Sequence, residues 1–375
     1  MNDSTARITS GRRAFLQTAS MLALGAGLLR TAHSAEAADV HGAQLKTPSG
    51  KPLRGLYPIL QTPFTPEDKL DTEALAAEIR FINRGGVNGM IWPVFASSWS
   101  TLSDAERIEG AETILAAAKG GKSAVAIAVQ NTAWDIPTSV RYAKHAAAHG
   151  ADAIVAIPPN NGWNVSDQSI IDYYKSIGGA TDLPLIVQTR GTMSVELMLE
   201  MFRQIPNMKA TKDEVGDPLE RIGPLIAGTD NKLAMWAAGG GTGNQLLEEL
   251  PLGFVGLCPT PQFADLLQQA QENYWAGRKR EAFDAFARVQ GFAAIPGAVE
   301  YMMVARGVFK ETTKFRLQPM EPEARGRAGG GTGGAPVAAG GPSRGGSGRD
   351  ALLTDKQKQF ICDAFNEYLK PNLRA

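Results

Sequence analysis

Between residues 53 and 259, short apolar runs alternate with stretches whose apolar residues recur at helical spacing, in units of roughly 25 to 35 residues. Eight runs have the length and bounding turn residues of strands: 53–61 (LRGLYPILQ), 86–93, 123–130 (SAVAIAVQ), 151–159, 183–189, 208–214, 232–240 and 253–259. Between them, DTEALAAEIRFINRG sets its apolar residues on one helical face, and SDAERIEGAETILAAAKGG opens with Ser103 and Glu106 at capping-box spacing. Strand–helix repetition predicts an α/β protein with a parallel sheet, and eight strands predict a closed (β/α)8 TIM barrel over residues 39–261. Helical patterns in 262–323 predict a C-terminal helical extension, and 351–375 carries a last amphipathic helix. The intervening 324–350 has almost no apolar bulk to offset the entropy of ordering, so a Gly-rich flexible insertion is expected there. Its glycines lack the Lys and Ser or Thr context of a phosphate-binding loop.

The first forty residues break the alternation. SGRRAFL precedes the apolar run MLALGAGLL and the small residues AHSAEAA. The pair Arg12 and Arg13 predicts a twin-arginine signal peptide over 1–38, cleaved near Ala35 to Ala38, and a periplasmic mature protein without a stable membrane span. The other reading, an N-terminal anchor, is disfavoured because the apolar run is short for a spanning helix.

Charge and composition narrow the function classes. The chain has 375 residues, 43% of them apolar, and 38 Lys plus Arg balance 38 Asp plus Glu. With no basic stripe, nucleic acid is excluded as an expected partner. Two cysteines, Cys258 and Cys362, make no disulfide framework and read as packed thiols, with a bridge between them left open. His145 and His149 stand four apart on one helix face, a spacing able in principle to clamp a metal. That helix leads toward the fourth strand, away from the strand ends that carry chemistry, and no third ligand lies nearby in sequence. Structural or solvated roles, no metal and no cofactor are therefore expected. His33 and His41 lie in or beside the signal region, which disfavours a histidine base or a Ser-His-Asp triad.

In such a barrel the chemistry sits at the C-terminal ends of the strands. There the stretch 207–217, NMKATKDEVGD, sets Lys212 in an apolar strand. Alternation places Met208, Ala210, Lys212 and Glu214 on one face and Lys209, Thr211 and Asp213 on the other. If the first face looks inward, Lys212 is a partly desolvated amine suited to imine chemistry. The competing reading is a strand-end lysine paired with Asp213 or Glu214.

NMKATKDEVGD resembles, without a gap, the segment around the Schiff-base lysine of the dihydrodipicolinate synthase and N-acetylneuraminate lyase family, whose pattern is close to N-I-x-G-I-K-E/D-x-x-G-D. LQTPFTPEDKLD, GGVNGMI, TLSDAER, GADAIVAIPP, DLPLIV and ELPLGFVG keep the family's order, from about Leu53 to Phe309. The resemblance implies a (β/α)8 barrel, a tetramer or dimer, and aldol cleavage or condensation of a small-molecule carbonyl substrate through an imine on Lys212. It also exposes departures. Val94, Phe95, Ala96, Ser97 and Ser98 replace the family's Gly-Thr-Thr-Gly-Glu-type carboxylate loop. Gln188 and Thr189 replace its Tyr-Asn, and Pro159, Asn160 and Asn161 its Pro-Tyr-Tyr. QTRGTM is shorter than the family's segment, so Arg190 either stands in for the family's carboxylate-binding arginine or merely falls near it. The expected substrate contacts are Phe95, Ala96, Ser97, Ser98, Asn161, Gln188, Arg190, Gly240 and Gly241. Trp92, Phe95, Trp99, Trp134 and Trp163 near strand ends suggest a larger, more aromatic pocket, less suited to pyruvate. Two functions follow. One is an exported lyase or aldolase whose protons move through water, the substrate carboxylate, Asp213 or Ser97 and Ser98. The other is an inactive barrel serving as a periplasmic small-molecule binding or assembly protein.

Overall fold

The computed structural model describes residues 45–317 and 353–373; the signal-peptide and Gly-rich-insertion expectations fall outside them. Seven parallel strands run in sequence order, β1 Gly89–Trp92, β2 Ala124–Ala128, β3 Ala153–Ala156, β4 Leu185–Gln188, β5 Met208–Asp213, β6 Ala234–Ala237 and β7 Gly256–Leu257. Each lies inside one of the runs expected from the apolar pattern. The first run, 53–61, is not a regular strand among the described residues, because Pro58 has no N–H to give to a ladder.

It nevertheless pairs on both sides. The N–H groups of Gly55, Tyr57 and Ile59 donate to Val255, Leu257 and Pro259 carbonyls at 2.8, 3.0 and 2.7 Å. The carbonyls of Leu56 and Pro58 accept from Gly89 and Ile91, both at 3.0 Å. This segment thus joins the two edge strands β1 and β7, and the sheet returns on itself.

The interior of the ring is narrow, and its residues show why. Ala124, Ala126, Ala128, Ala153, Ala210 and Ala234 point inward, while Val125, Ile127, Leu185, Val187 and Met235 pack against the helices. Small residues leave the space that Tyr57 and Trp236 fill, with ring centroids 4.5 Å apart. Trp236 Nε1 donates to the Gly55 carbonyl at 2.8 Å, which satisfies its one polar atom in the interior. A Cβ at Gly89 would stand 2.4 Å from the Tyr57 ring, so that position has no room for a side chain.

Short loops end in residues that cap the following helix. Asp71, Ser103, Asp135, Ser166, Ser194 and Asp217 each accept from a backbone N–H of the first turn. The capping box at Ser103 forms, with Glu106 Oε2 2.7 Å from the Ser103 N–H. After β7, helices Ala264–Trp275, Lys279–Ala293 and Ala298–Ala305 form the C-terminal extension. The last helix, Asp355–Ala364, returns to this body. It buries Ile361 and Ala364, followed by Phe365 and Leu369, and Lys358 pairs with Glu311 at 2.9 Å. Both cysteines are free thiols, and no described helix is long and apolar enough to cross a membrane.

Candidate active site

A cavity of about 220 Å³ opens where the strands end. Its lining comes from the turn after β1 (Val94, Phe95, Ala96), from β4 and its loop (Gln188, Arg190), from β5 (Lys212, Glu214) and from the ends of β6 and β7 (Gly240, Gly241, Cys258, Thr260). Parallel register explains the convergence, since Gln188 lies beside Lys212, and Lys212 beside Trp236.

The alternation read from β5 holds. Lys212 faces the cavity and is only 6% exposed. Its Nζ lies 2.8 Å from Glu214 Oε1, whose side chain is 16% exposed. Gln188 Nε2 donates to Glu214 Oε2 at 2.5 Å, and Arg190 Nη1 stands 4.0 Å from the same oxygen. Burial works to raise the Glu214 pKa, but the charges of Lys212 and Arg190, with hydrogen bonds from Lys212 and Gln188, outweigh it and hold the carboxyl below its ordinary range. The resting Glu214 is therefore a carboxylate in contact with the amine. The Cys258 thiol, in contrast, is pushed up to about 12 by burial, against the opposing pull of Lys212, so it offers no competing thiolate.

Arg190 is held from two directions. Its guanidinium lies 4.4 Å over the Phe95 ring. Its backbone is pressed against the turn after β3, where a Cβ on Gly162 would come within 2.4 Å of the Arg190 carbonyl. Gly191, at φ 62°, meets Gly162 from the other side, and neither position admits a side chain.

Several expected contacts lie elsewhere. Ser97 Oγ donates to the Leu60 carbonyl at 2.6 Å, and Ser98 Oγ to the Arg316 carbonyl at 2.6 Å; both hydroxyls are committed to backbone and line no part of the cavity. Asn161 is buried in the turn that supports Arg190, outside the lining. Asp213 faces the helices and cannot serve Lys212. Its carboxylate holds Arg221 Nε at 2.8 Å and Nη2 at 2.9 Å, and accepts Thr189 Oγ1 at 2.8 Å. Of the five aromatic residues, only Phe95 borders the cavity. Trp92 turns to the helix side, where Nε1 donates to Thr62 at 2.9 Å, and Trp99 and Trp134 meet edge to face with ring centroids 5.4 Å apart. The space is accordingly small, below the range of about 300 to 1,000 Å³ of usual ligand pockets. One carboxylate, one thiol pushed up to about 12 and no histidine are too few donors to hold a metal in the cavity.

Glu214, like Val94, Cys258 and Thr260 of the lining, was absent from the expected substrate set, and it alone of these contacts Lys212 through a charge. Its signal was the same-face spacing with Lys212.

Residues 52–292 match the family described as Dihydrodipicolinate synthetase family. The chain is 25% identical over 285 residues to a 4-hydroxy-tetrahydrodipicolinate synthase of Chlorobium luteolum, covering 72% of this chain and 94% of the relative. It is 27% identical over 211 residues to the probable 2-dehydro-3-deoxy-D-pentonate aldolase YjhH of Escherichia coli, covering 55% and 68%. In fold it is similar to YagE, a prophage protein of the dihydrodipicolinic acid synthase family from Escherichia coli solved with pyruvate, at TM-score 0.62, 18% identity, and coverage of 84% of this chain and 98% of that one. With the profile match spanning most of the ring and its helices, this chain belongs to the dihydrodipicolinate synthetase family.

Proposed function

We propose that the protein is a lyase or aldolase of the Schiff-base type, built on a (β/α)8 barrel, in which Lys212 forms an imine with a small 2-keto acid or aldehyde. The observation that carries this reading is the buried amine facing a small cavity with an acid in contact. In the resting site Lys212 and Arg190 contribute two positive charges and Glu214 one negative, which favours a monoanionic substrate. Its carboxylate would meet Arg190 and the backbone of Gly240 and Gly241.

Glu214 gives the amine a route to reactivity. The Lys212 ammonium passes a proton to the carboxylate 2.8 Å away, and the neutral amine attacks the carbonyl carbon. The attacking nitrogen gives one proton to the carbonyl oxygen, forming a neutral carbinolamine; the Glu214 carboxylic acid then protonates that hydroxyl, water leaves, and a cationic imine remains beside the restored carboxylate, so charge is conserved through the step. That cation accepts the electron pair of the breaking carbon–carbon bond, or supplies it in the reverse direction as the enamine. Glu214 would also take the proton that the family's relay tyrosines take, where this chain has Gln188 and Asn161. Export through the twin-arginine route, a periplasmic site of action and a homo-oligomer are part of the proposal, supported by the reading of 1–38 and by the resemblance.

One observation favours the second reading, an inactive binding barrel: the amine is already engaged by the Glu214 carboxylate at 2.8 Å. Borohydride reduction in the presence of a panel of 2-keto acids and aldehydes separates the two. Reduction converts the imine to a stable secondary amine, and peptide mapping should place the adduct on Lys212 and find none in Lys212→Ala. No adduct with any member of the panel, from folded protein, would leave the binding reading standing.

A further inference from the structure

At the opposite end of the sheet, the two histidines that lacked a third ligand in the sequence acquire one. Helix Asp104–Ala118 packs beside helix Ile136–Ala148 and brings Glu112 to His145 and His149. His145 Nε2 lies 2.9 Å from Glu112 Oε1, and His149 Nε2 3.6 Å from the same oxygen. The three donor atoms all fall within 4.8 Å of one another. Zinc bonds of about 2.0 to 2.1 Å in a tetrahedron put neighbouring donors about 3.3 Å apart, a value the two measured separations bracket.

A second observation concerns orientation. His149 Nδ1 lies 2.8 Å from the His145 carbonyl, a contact that orients the ring with Nε2 toward Glu112. A backbone carbonyl on the far ring nitrogen is the arrangement that fixes and strengthens metal-ligating histidines. The rings of His145 and His149 lie 4.1 Å apart, on the same side of the helix pair as Glu112. The carboxylate and the His149 ring are 49% and 44% exposed, which leaves the remaining coordination position to solvent. A cleft of about 560 Å³, bordered by Glu112, His149, Lys119 and Asp152, gives an ion access from outside.

We propose that Glu112, His145 and His149 form a binding site for one divalent transition ion of the zinc class, which ties the two helices together at the face remote from Lys212. Two imidazoles and one carboxylate suit zinc, cobalt, nickel or copper and are a poor set for magnesium or calcium, which take oxygen ligands. The inference does not rest on imine chemistry.

The test uses the full chain, stripped with chelator and titrated with zinc by calorimetry, with cobalt as a spectroscopic probe. One equivalent should bind with a ligand-field spectrum of low-coordinate cobalt, and zinc should raise Tm. His149→Ala should weaken binding at least about tenfold. The double variant His145→Ala/His149→Ala should abolish it while leaving borohydride trapping on Lys212 unchanged. Because Glu112 is half exposed, Glu112→Gln supplies a folded variant in which the same loss is expected. No saturable equivalent, or undiminished binding in the double variant, which would place the ion elsewhere, overturns the proposal.

Discussion

Lys212 and Asp213 are adjacent on β5, and each is paired with an opposite charge, yet the two pairs differ in almost every physical respect. Asp213 faces the helices and meets Arg221 through two hydrogen bonds of 2.8 and 2.9 Å, with Thr189 on one carboxylate oxygen and the Met193 carbonyl 3.1 Å from Arg221 Nη1. Both side chains are under 10% exposed. A bidentate pair with its remaining capacity satisfied is fixed and leaves nothing to offer a substrate. Lys212 faces the cavity and meets Glu214 through one contact, with Arg190 4.0 Å from that carboxylate. A single contact beside open space can exchange its proton or its partner. Strand alternation alone sends consecutive residues to these two environments, one suited to fixing the barrel wall and one to chemistry.

The comparison breaks most completely at Lys212, where substitution by Ala should remove all trapping. At Arg221 the expected effect is on folding instead. Arg221→Met strands the Asp213 carboxylate in the wall, and loss of one partner from a buried pair costs about 3 to 5 kcal/mol. Denaturant unfolding measures it; a loss below about 1 kcal/mol, the value of an exposed pair, would mean the outer pair is no more structural than the inner one.

Glu214→Gln sharpens the contrast with a smaller effect of about 1.5 to 3 kcal/mol, the worth of a hydrogen bond to a charged group. Glu214 is held below its ordinary range in the folded state, so its contribution is fully present above the unfolded carboxylate value and is lost as pH falls through the lowered folded one. The stability gap between wild type and Glu214→Gln should therefore be complete at neutral pH and shrink as pH falls below the ordinary carboxylate range. Trapping should respond as well. Without the carboxylate, the amine loses the acceptor 2.8 Å away that takes its proton, so trapping in Glu214→Gln should be slower and its pH profile should depart from that of wild type. A trapping profile superimposable on that of wild type would remove Glu214 from the proton path.

Much of this arrangement was legible in the sequence, and the reason is periodicity. Apolar runs mark all seven strands, and the period of two places Lys212 and Glu214 together and Asp213 apart. The pattern of the resembled family leaves position 214 open, so the resemblance drew attention to the lysine and not to its partner. What stayed hidden depends on tertiary direction. Trp92 was near a strand end, but its place in the strand turns it toward Gly110 of a neighbouring helix, where the ring occupies the space a Cβ would need. Glu112 and His145 are 33 residues apart, and only the packing of two successive helices makes them neighbours. The irregularity of 53–61 was written in Pro58, whereas its pairing to both edges required the ring to close.

The serines illustrate the same limit on a finer scale, and they carry the smallest prediction. Ser97 and Ser98 occupy the loop where a carboxylate contact was expected, and hydroxyls there suggested one. The chain instead makes two short 3-10 turns, Phe95–Ser97 and Trp99–Thr101, joined at Ser98 with φ 55°. These turns fold the Ser97 hydroxyl under the loop, where it accepts from the Val94 N–H at 3.2 Å and donates to the Leu60 carbonyl. It links the turn after β1 to the segment that joins the edge strands, so it holds Phe95 and Ala96 at the cavity wall without touching what enters. Ser97→Ala should cost about 0.5 to 1.5 kcal/mol of stability for the lost hydrogen bonds. The affinity for whichever 2-keto acid traps on Lys212, measured by calorimetry, should change by less than about a factor of two. A tenfold loss of affinity with unchanged stability would mean that the hydroxyl turns into the cavity when substrate binds, and that the boundary between wall and site runs through Ser97 rather than beside it.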